Sequence, residues 1–260
     1  MYDFVISCQD AVSFLTSLEN DSLDLTVTSP PYDDMRTYDG FSSDFNEGVW
    51  KNVLKELYRK TKKGGNVVWI VGDQTKNGSE TLTSFRQAIY AVEDCGFRLN
   101  DTMIWNKGCF SSVGNLQSRY AQVFEYMFVF SKDRGVFNPL KDRENKRYGE
   151  KKSGSIRKVD GNFRNMSNVG KTIKKNGIRF NVWEQIPEKN RTLKHPAKFP
   201  VALARDHILS WSNEGDLVCD PFLGSGTTAV AALESQRRFI GCDVNPKYVE
   251  MSKTRLLKHL

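Results

Sequence analysis

Short apolar runs alternate with stretches of helical periodicity along this chain, and that alternation constrains its fold more than any other feature. It favours an α/β fold of the doubly wound kind, in which helices cover both faces of a mainly parallel sheet. The predicted strands are 4–7, 23–28, 67–71, 99–105, 124–130, 216–219 and 238–242. The predicted helices are 11–18, 49–63, 80–95 and 227–235, with one more inside 200–212 and one that begins at Pro246.

The composition indicates one elaborated domain. The chain has 260 residues, 39% of them hydrophobic, which is enough to bury a sizeable core. No apolar run approaches the ~20 residues that cross a bilayer, and the N-terminus lacks the profile of a signal peptide. The five cysteines form no CxxC pair, and the three histidines show no metal-ligand spacing. We therefore expect a cytoplasmic protein with no membrane partner and no metal.

Positive charge is concentrated in the segment 141–180. This segment holds thirteen Lys or Arg and four Asp or Glu, a surplus of nine, so the rest of the chain carries −2 of the total +7. It is also rich in Gly, Asn and Ser and poor in long apolar runs. Such a segment is either a solvated loop or a surface that contacts phosphates, and the motifs described next favour the second interpretation.

The first motif is Thr28-Ser29-Pro30-Pro31-Tyr32, which closes the predicted strand 23–28. Two prolines end the strand and place a hydroxyl, a backbone carbonyl and an aromatic ring together. That set suits a planar heterocycle, because the ring can stack on its face while the two oxygens accept hydrogen bonds from an amino group on its edge.

The second motif runs from Asp220 to Thr228 with the sequence DPFLGSGTT, between a predicted strand and a predicted helix. Its glycines allow the backbone to approach a ligand, and Asp243 follows at the distance expected of an acid that binds both hydroxyls of a ribose. A dinucleotide is disfavoured, because the glycine-rich fingerprint of dinucleotide-binding folds normally follows the first strand, with the remaining units downstream. Here only about one strand and two helices follow it. A phosphate loop is disfavoured because no Lys precedes Thr227. S-Adenosylmethionine is the favoured ligand, because its ribose and adenine need an acid and apolar contacts while its sulfonium needs no phosphate cradle, and because Asp-Pro-Phe opens this motif and Ser-Pro-Pro-Tyr lies in the other. A turn without a ligand is the remaining alternative.

Together these motifs resemble the beta group of DNA amino-methyltransferases, in which the catalytic motif precedes the cofactor motif. The segment 238–243 is similar to the second cofactor motif of that group, and 195–200 to the segment that closes over the cofactor. The resemblance implies a Rossmann-like methyltransferase sheet with circularly permuted motif order. It also implies three regions: a catalytic half (1–135), a basic DNA target-recognition insert (136–190) and an adenosylmethionine-binding half (191–260).

The resemblance also implies the site residues. The catalytic residues are Ser29, Pro30, Pro31 and Tyr32. The residues expected to bind S-adenosyl-L-methionine are Asp10, Ala11, Thr28, Lys198, Phe199, Pro200, Asp220, Pro221, Phe222, Gly224, Ser225, Gly226, Thr227, Thr228 and Asp243. The DNA contacts are predicted from the residues themselves and not from the resemblance. In the basic segment, the candidates for phosphate contact are Lys151, Lys152, Arg157, Lys158, Lys174 and Lys175, and the candidates for base readout are Arg143, Arg147, Arg164 and Arg179. Arg36 and Tyr38, in the stretch after the first motif, are predicted to hold the extruded nucleotide.

The expected reaction is transfer of a methyl group to an exocyclic amine of a base flipped out of double-stranded DNA. In the resembled group, serine at the first motif position goes mostly with cytosine N4 and an acid goes mostly with adenine N6. Ser29 therefore predicts cytosine N4, with adenine N6 as the alternative. Methylation at carbon 5 is disfavoured, since that chemistry needs a cysteine after a proline and none of the five cysteines follows one.

Three further alternatives stay open at this point. They are methylation of protein glutamine, methylation of RNA, and a nucleic-acid-binding module that keeps the fold without catalysis. Ser29 and the basic segment disfavour the protein substrate, no RNA-binding signature accompanies the motifs, and the intact motifs disfavour the silent module. The resemblance also implies a restriction-modification setting, with a homodimer and a cognate restriction endonuclease as expected partners.

Overall fold

A computed structural model describes residues 4–31, 45–108, 116–187 and 199–258. In chain order, the elements of these residues are β1 (Phe4–Cys8), α1 (Ala11–Ser17), β2 (Leu23–Thr28), α2 (Glu47–Lys60), β3 (Thr61–Val71), β4 (Thr75–Lys76), β5 (Ser79–Glu80), α3 (Thr83–Glu93), β6 (Arg98–Asn106), β7 (Phe124–Ser131), β8 (Arg143–Glu144), β9 (Ser155–Arg157), β10 (Phe163–Asn165), β11 (Asn176–Gly177), β12 (Val182–Glu184), α4 (Val201–Trp211), β13 (Leu217–Asp220), α5 (Thr227–Glu234), β14 (Arg238–Asp243) and α6 (Pro246–Leu256).

Eight strands of the described chain form one sheet, in the order β1-β14-β13-β2-β3-β7-β6-β12. Neighbouring strands are parallel except where β7 runs antiparallel to β3 and β6. The predicted doubly wound, mainly parallel fold is confirmed. The late strands β13 and β14 lie between the early strands β1 and β2, so the sheet joins both ends of the chain. The order changes direction between β13 and β2, because β14 follows on one side and β3 on the other.

The core lies on both faces of the central strands. The five residues at the end of β3, 67–71, are all fully buried, as expected of a strand covered on both faces. Helices α1, α2 and α3 pack side by side, and α4, α5 and α6 form a second such group. In α2 the apolar residues Val53, Leu54 and Leu57 recur at helical spacing, and all three are buried.

The main boundary difference lies between α2 and β3. The sequence pattern predicts a helix to residue 63, whereas α2 ends at Lys60. Thr61 adopts an extended backbone, and its hydroxyl donates to the carbonyl oxygen of Leu57 at 2.6 Å. Thr61 also pairs with Leu23 in β2. Strand pairing across the sheet therefore overrides a local helical pattern that continues for three more residues.

The described chain divides into two compact units. The larger comprises Met1–Asn138 with Asn181–Leu260, and the smaller is Pro139–Phe180. β12 falls inside the predicted insert 136–190 but pairs with β6 in the main sheet. The functional division into two halves and a recognition insert stays a prediction. Among the described residues, no helix is long and apolar enough to cross a membrane, and no cluster of three metal-ligating side chains occurs.

Candidate active site

The predicted site residues of the larger unit meet at the carboxyl ends of four parallel strands. Asp10 follows β1, Asp243 ends β14, Asp220 ends β13 and Thr28 ends β2, and these strands are neighbours in that order. Between β13 and β2 the strand order changes direction. In open α/β sheets, a crevice forms at such a point outside the carboxyl ends and binds the ligand.

A buried hydrogen-bond network centred on Asp220 joins the two sequence motifs. The Thr28 hydroxyl donates to Asp220 Oδ1 at 2.7 Å, and the Thr228 hydroxyl donates to Asp220 Oδ2 at the same distance. The backbone N–H of Phe222 also donates to Oδ1, at 3.0 Å. All three polar side chains are buried. The Asp220 carboxylate therefore fixes the end of β2, which carries Ser29, against the start of α5.

Burial raises the pKa of Asp220 to about 6, and the donated hydrogen bonds from Thr28 and Thr228 partly offset that rise. A carboxylate is expensive to bury unless it is well hydrogen-bonded, and this one has three donors. Thr28, Thr228 and Asp220 were predicted to bind the cofactor. Their side chains hydrogen-bond one another, which positions the residues around them, and their contacts to the cofactor stay predictions.

The glycine-rich loop after β13 owes its shape to positive backbone angles and to α6. Gly224 has φ +51° and Gly226 has φ +77°, a region that strongly favours glycine. A Cβ on Gly226 would lie 3.0 Å from the Cβ of Ser252 in α6. The Ser252 hydroxyl is within 2.8 Å of the Gly224 carbonyl oxygen, which it can use as an acceptor. The loop is thus held from below by α6.

Asp243 is tied to the same loop. Its Oδ2 accepts from the Gly224 N–H and its Oδ1 from the Asn245 N–H, both at 2.8 Å. Burial raises the pKa of Asp243, and these two backbone donors oppose the rise. Each carboxylate oxygen retains a second acceptor position, so the side chain can still accept from ribose hydroxyls.

Asp10 and Ala11 stand beside Asp243, at the start of α1. The Gln9 N–H donates to the Asp243 carbonyl oxygen at 3.1 Å, and Cys8 pairs with Asp243 in the sheet. Asp10 caps α1 by accepting from the Ser13 N–H at 2.9 Å, and hydrogen bonds from the Ser13 side chain and N–H lower the pKa of its carboxyl group. Ala11 is buried and Asp10 is exposed, and the contacts of both residues to the cofactor stay predictions.

The catalytic motif continues directly from the end of β2. Ser29 and Pro31 are half-buried and Pro30 is buried. Across the sheet, the Phe222 ring of the second motif makes edge contacts with Phe45 and Trp69, with centroids 5.5 and 6.4 Å apart. Trp69 pairs with Thr28. An aromatic cluster therefore lies next to the point at which Ser29 leaves the sheet.

The remaining predicted site residues of the larger unit either lie within the described ranges or fall outside them. Pro200 caps α4 and is buried, and Phe199 beside it is half-buried. Ser225 and Thr227 are buried in the glycine-rich loop and its helix, and so is Pro221. The predicted residues that lie outside the described ranges are Tyr32, Arg36, Tyr38 and Lys198.

Sequence reasoning missed the residues of α6 that support the loop. Arg255 donates to the Ser225 carbonyl oxygen at 3.1 Å and lies 3.3 Å from the Thr227 hydroxyl. Ser252 and Arg255 are nearly thirty residues away along the chain from the loop atoms they contact. A polar residue on one face of a terminal helix gives no local signal of such a contact.

Comparison with known proteins identifies the family. The model of the DNA methylase family, which covers N6 and N4 methyltransferases, matches residues 23–254. The orphan methyltransferase M.BamHII of Bacillus amyloliquefaciens is 48% identical over 249 residues, which are 92% of this chain and 90% of the relative. The chain belongs to the DNA methylase family.

Other relatives of this DNA methylase are more distant. The DNA adenine methyltransferase YhdJ of Escherichia coli (strain K12) is 28% identical over 95% of the chain and 80% of its own length. The solved PvuII DNA methyltransferase (cytosine-N4-specific) is 20% identical, with a TM-score of 0.69 over 97% of this chain and 86% of that one. The M1.HpyAVI–SAM complex, at 22% identity, has a TM-score of 0.64 over 97% and 98%. These structures share the fold.

Membership makes this protein a DNA methyltransferase of the N4/N6 family that uses S-adenosyl-L-methionine. The site fits that cofactor, because Asp10 and Asp243 offer acceptors for its hydroxyl and amino groups at the end of β1 and β14. The loop that follows Asp220 is shaped by Gly224 and Gly226 and packs against α6. The individual cofactor contacts stay predictions.

The basic residues of the smaller unit differ in how they are bound. Arg179 pairs with Asp142, Arg147 with Glu150 at 2.7 Å, and Arg143 stacks over the Phe180 ring at 4.4 Å. The Lys151 ammonium donates to Thr172 Oγ1 at 3.1 Å. Within the described part of this unit, no ion pair engages the other predicted DNA contacts, which are Lys152, Arg157, Lys158, Arg164, Lys174 and Lys175.

Proposed function

We propose that this DNA methyltransferase methylates the exocyclic N4 of a flipped cytosine within a specific DNA sequence. The observation that carries the proposal is Ser29, which occupies the first position of the catalytic motif at the end of β2. In the resembled group, serine at this position goes mostly with cytosine.

The chemistry needs an amine that is more nucleophilic than it is in a free base, since its lone pair is delocalised into the ring. The Ser29 hydroxyl and the Pro30 carbonyl would each accept one amine hydrogen, which favours a pyramidal nitrogen with its lone pair free. Pro31 fixes φ at its own position and so limits how the acceptors can move. S-Adenosylmethionine, when bound, supplies the methyl group and a neutral thioether leaving group.

Positioning is the main contribution of the protein in this proposal. Direct transfer needs the amine nitrogen in line with the donor and held close to it, and good alignment alone supports a large acceleration. Here the acceptors continue from β2, and Asp220 ties the end of β2 to the loop after β13. A single buried carboxylate therefore links the base-binding motif to the cofactor-binding motif. The proton on the methylated nitrogen can then leave to water.

Access to the amine requires the cytosine to leave the duplex, at a cost of a few kcal/mol in unstacking and unpairing. Tyr32 was predicted to stack on the extruded ring, and Arg36 and Tyr38 to hold the flipped nucleotide. These three residues lie outside the described ranges and stay predictions.

Adenine N6 is the second candidate. The relative YhdJ, 28% identical over 95% of the chain, is a DNA adenine methyltransferase by name. The Ser29 and Pro30 acceptors suit an adenine amine as well as a cytosine amine, because both amines present two hydrogens in the plane of the ring. A catalytically silent binding module is the last alternative, and the paired motifs described above argue against it.

Nucleoside analysis decides between these outcomes. The protein is incubated with S-adenosylmethionine and unmethylated plasmid, the DNA is digested, and methylated nucleosides are separated by mass spectrometry. We expect N4-methylcytosine, and reactions without the cofactor serve as the control. N6-methyladenine would contradict the base assignment. No product from protein that binds the cofactor would support the silent module.

The expected partners beyond DNA belong to the same proposal. We propose a homodimer, which sedimentation at several protein concentrations tests directly, since a monomer at micromolar concentration contradicts it. The proposed cognate restriction endonuclease implies that methylation blocks cleavage at the same sites. The relative M.BamHII is called an orphan methyltransferase, so an enzyme without a nuclease is the competing arrangement.

A further inference from the structure

The smaller unit is one long antiparallel ribbon. β8 pairs with β11, Lys151 bridges Thr172, and β9 pairs with β10, so one arm (143–158) runs back along the other (162–177). Backbone hydrogen bonds between these elements continue the pairing, including Asn145 N–H to the Lys175 carbonyl and Met166 N–H to the Gly154 carbonyl. The ribbon folds back at its far end, between β9 and β10.

The far end is a tight hairpin whose turn is set by two residues. The Gly161 N–H donates to the Lys158 carbonyl at 3.0 Å and the Lys158 N–H to the Asn162 carbonyl at 2.7 Å. Gly161 has φ +84°, and the Asp160 carboxylate accepts from the Asn162 N–H at 3.0 Å. This matches a type I turn followed by a glycine in the left-handed region. Gly161 therefore supplies the left-handed backbone of this turn, and Asp160 supplies the side-chain acceptor that closes it.

Val159 at the apex is not explained by turn formation. Polar residues, Gly and Pro dominate turns, and a β-branched apolar side chain has no role in closing this one. Its side chain is fully exposed. Ile156 and Phe163 are exposed on the arms of the hairpin as well, and no residue of β9 or β10 is buried. The hairpin thus presents apolar side chains to solvent at the tip of the unit.

Positive charge surrounds this apolar apex. Arg157, Lys158 and Arg164 lie within five residues of Val159, and Asp160 is the only acid of the hairpin. The Asp160 carboxylate is engaged with a backbone N–H. Because Arg157 is opposite Phe163 while Arg164 is opposite Ile156, the two arginines extend from opposite faces of the ribbon. An apolar tip with a cation on each face suits a groove that has anionic walls and an apolar group on part of its floor.

We propose that the hairpin Ser155–Asn165 enters the major groove of DNA, where Val159 contacts base edges and Arg157 and Arg164 contact the phosphates of the two strands. The major groove is about 12 Å wide and accepts a two-stranded ribbon, and its floor carries the apolar methyl group of thymine. Phosphate contacts position a protein on DNA and base contacts specify the sequence. The hairpin therefore determines part of the recognition sequence.

This proposal rests on the proposed function only in that the enzyme methylates DNA at a defined sequence. The test begins by mapping methylated positions in wild-type-treated DNA, which gives the recognition sequence and the modified base together. Methyl transfer is then measured on the cognate duplex and on duplexes with one base pair changed, for Val159→Ser, Arg157→Gln and Arg164→Gln. Val5→Ser, which alters an exposed valine of the larger unit, is the matched control.

We expect Val159→Ser to lower the ratio of kcat/KM between the cognate and a changed duplex by about tenfold at one or two base pairs. Its affinity for random DNA stays within about twofold of wild type. Arg157→Gln and Arg164→Gln weaken binding to every duplex and each lower the slope of log affinity against log salt by about 0.9, with the ratio unchanged. Val5→Ser changes none of these quantities.

Two results overturn the proposal. One is a Val159→Ser enzyme with the wild-type ratio at every base pair, which leaves the apex free for a protein partner or for solvent. The other is a wild-type enzyme that methylates without sequence preference. The modified base is a separate readout, because a map of methyladenine contradicts the proposed cytosine assignment and leaves the hairpin test valid.

Discussion

At the scale of single residues, Ser29 carries the proposed base contact and therefore the sharpest kinetic prediction. Ser29→Ala removes one of two acceptors for the amine, and we expect kcat to fall by about 10²-fold, the size of effect seen when a preorganised hydrogen bond to a transition state is lost. Affinity for S-adenosylmethionine, measured by calorimetry, should stay unchanged. Ser29→Thr keeps the hydroxyl and serves as the control. Wild-type kcat in Ser29→Ala would show that the hydroxyl is not an acceptor.

Asp220 gives a second prediction at this scale, which concerns stability against pH. Burial raises its pKa to about 6 from an ordinary value of 3.8, so the folded protein holds the proton more tightly than the unfolded chain. Protonation therefore favours folding, and that contribution is lost as the pH rises from about 4 to about 6. At about 1.4 kcal/mol per unit of pKa difference, the loss is about 3 kcal/mol.

Asp220→Asn isolates this effect. Its amide oxygen can accept from Thr28 and from the Phe222 N–H, and the Thr228 hydroxyl is 3.2 Å from the Val27 carbonyl, an alternative acceptor. Asp243, whose pKa is also raised, titrates in both proteins. In urea unfolding from pH 4 to pH 7, we expect the free energy of unfolding of wild type to fall relative to the variant. Parallel curves for the two proteins contradict the assignment.

At the scale of elements, the glycine-rich loop depends on its contact with α6. Gly226→Ala forces a side chain into a left-handed backbone and against Ser252, at 3.0 Å. Gly215→Ala is a matched control, because Gly215 has φ +81° and a Cβ there meets nothing within 4 Å. Both changes should cost about 1 kcal/mol of folding stability through the backbone.

Only Gly226→Ala should also disturb the loop. We expect its affinity for S-adenosylmethionine to fall by about tenfold or more, measured by calorimetry, while Gly215→Ala binds as wild type does. Equal affinities in the two variants would show that α6 yields to the added methyl group and that the loop does not depend on this contact.

At the scale of the whole molecule, charge is divided unequally between the two units, with a surplus of nine in the segment 141–180. Lys152, Lys174 and Lys175 are exposed and have no ion pair among the described residues. Replacing all three with Gln should weaken binding to all DNA sequences about equally. It should also lower the slope of log affinity against log salt by about 2.7, at about 0.9 per phosphate contact.

The matched control changes the same net charge in the larger unit, through Lys55→Gln, Lys63→Gln and Lys258→Gln. For this control variant, the slope of log affinity against log salt should differ from that of wild type by less than about one. Fluorescence anisotropy on a random duplex across a range of salt concentrations measures both variants. Equal reductions of slope would show that DNA binding follows total charge and not the smaller unit.

Much of this molecule follows from local sequence. The strands around the site were predictable because parallel strands buried on both faces are continuous apolar runs, as in 67–71. The loop that begins at Asp220 was predictable because glycines at 224 and 226 and the acid at 243 keep fixed spacings. The ribbon was not predictable, since its strands have two or three residues each, none of them buried, and give no periodic apolar signal.

The sequence by itself determined the fold class, the order of the two motifs and the placement of charge, because each depends on residues close together in the chain. Tertiary structure alone decided that the carboxylate of Asp220 accepts hydrogen bonds from Thr28 and Thr228, and that Ser252 and Arg255 contact the glycine-rich loop. It also decided that Val159 stands at the apex of a hairpin. The contacts join residues that are far apart in the sequence, and the exposure of Val159 depends on which other parts of the chain fail to cover it. No local sequence pattern encodes long-range contact or exposure.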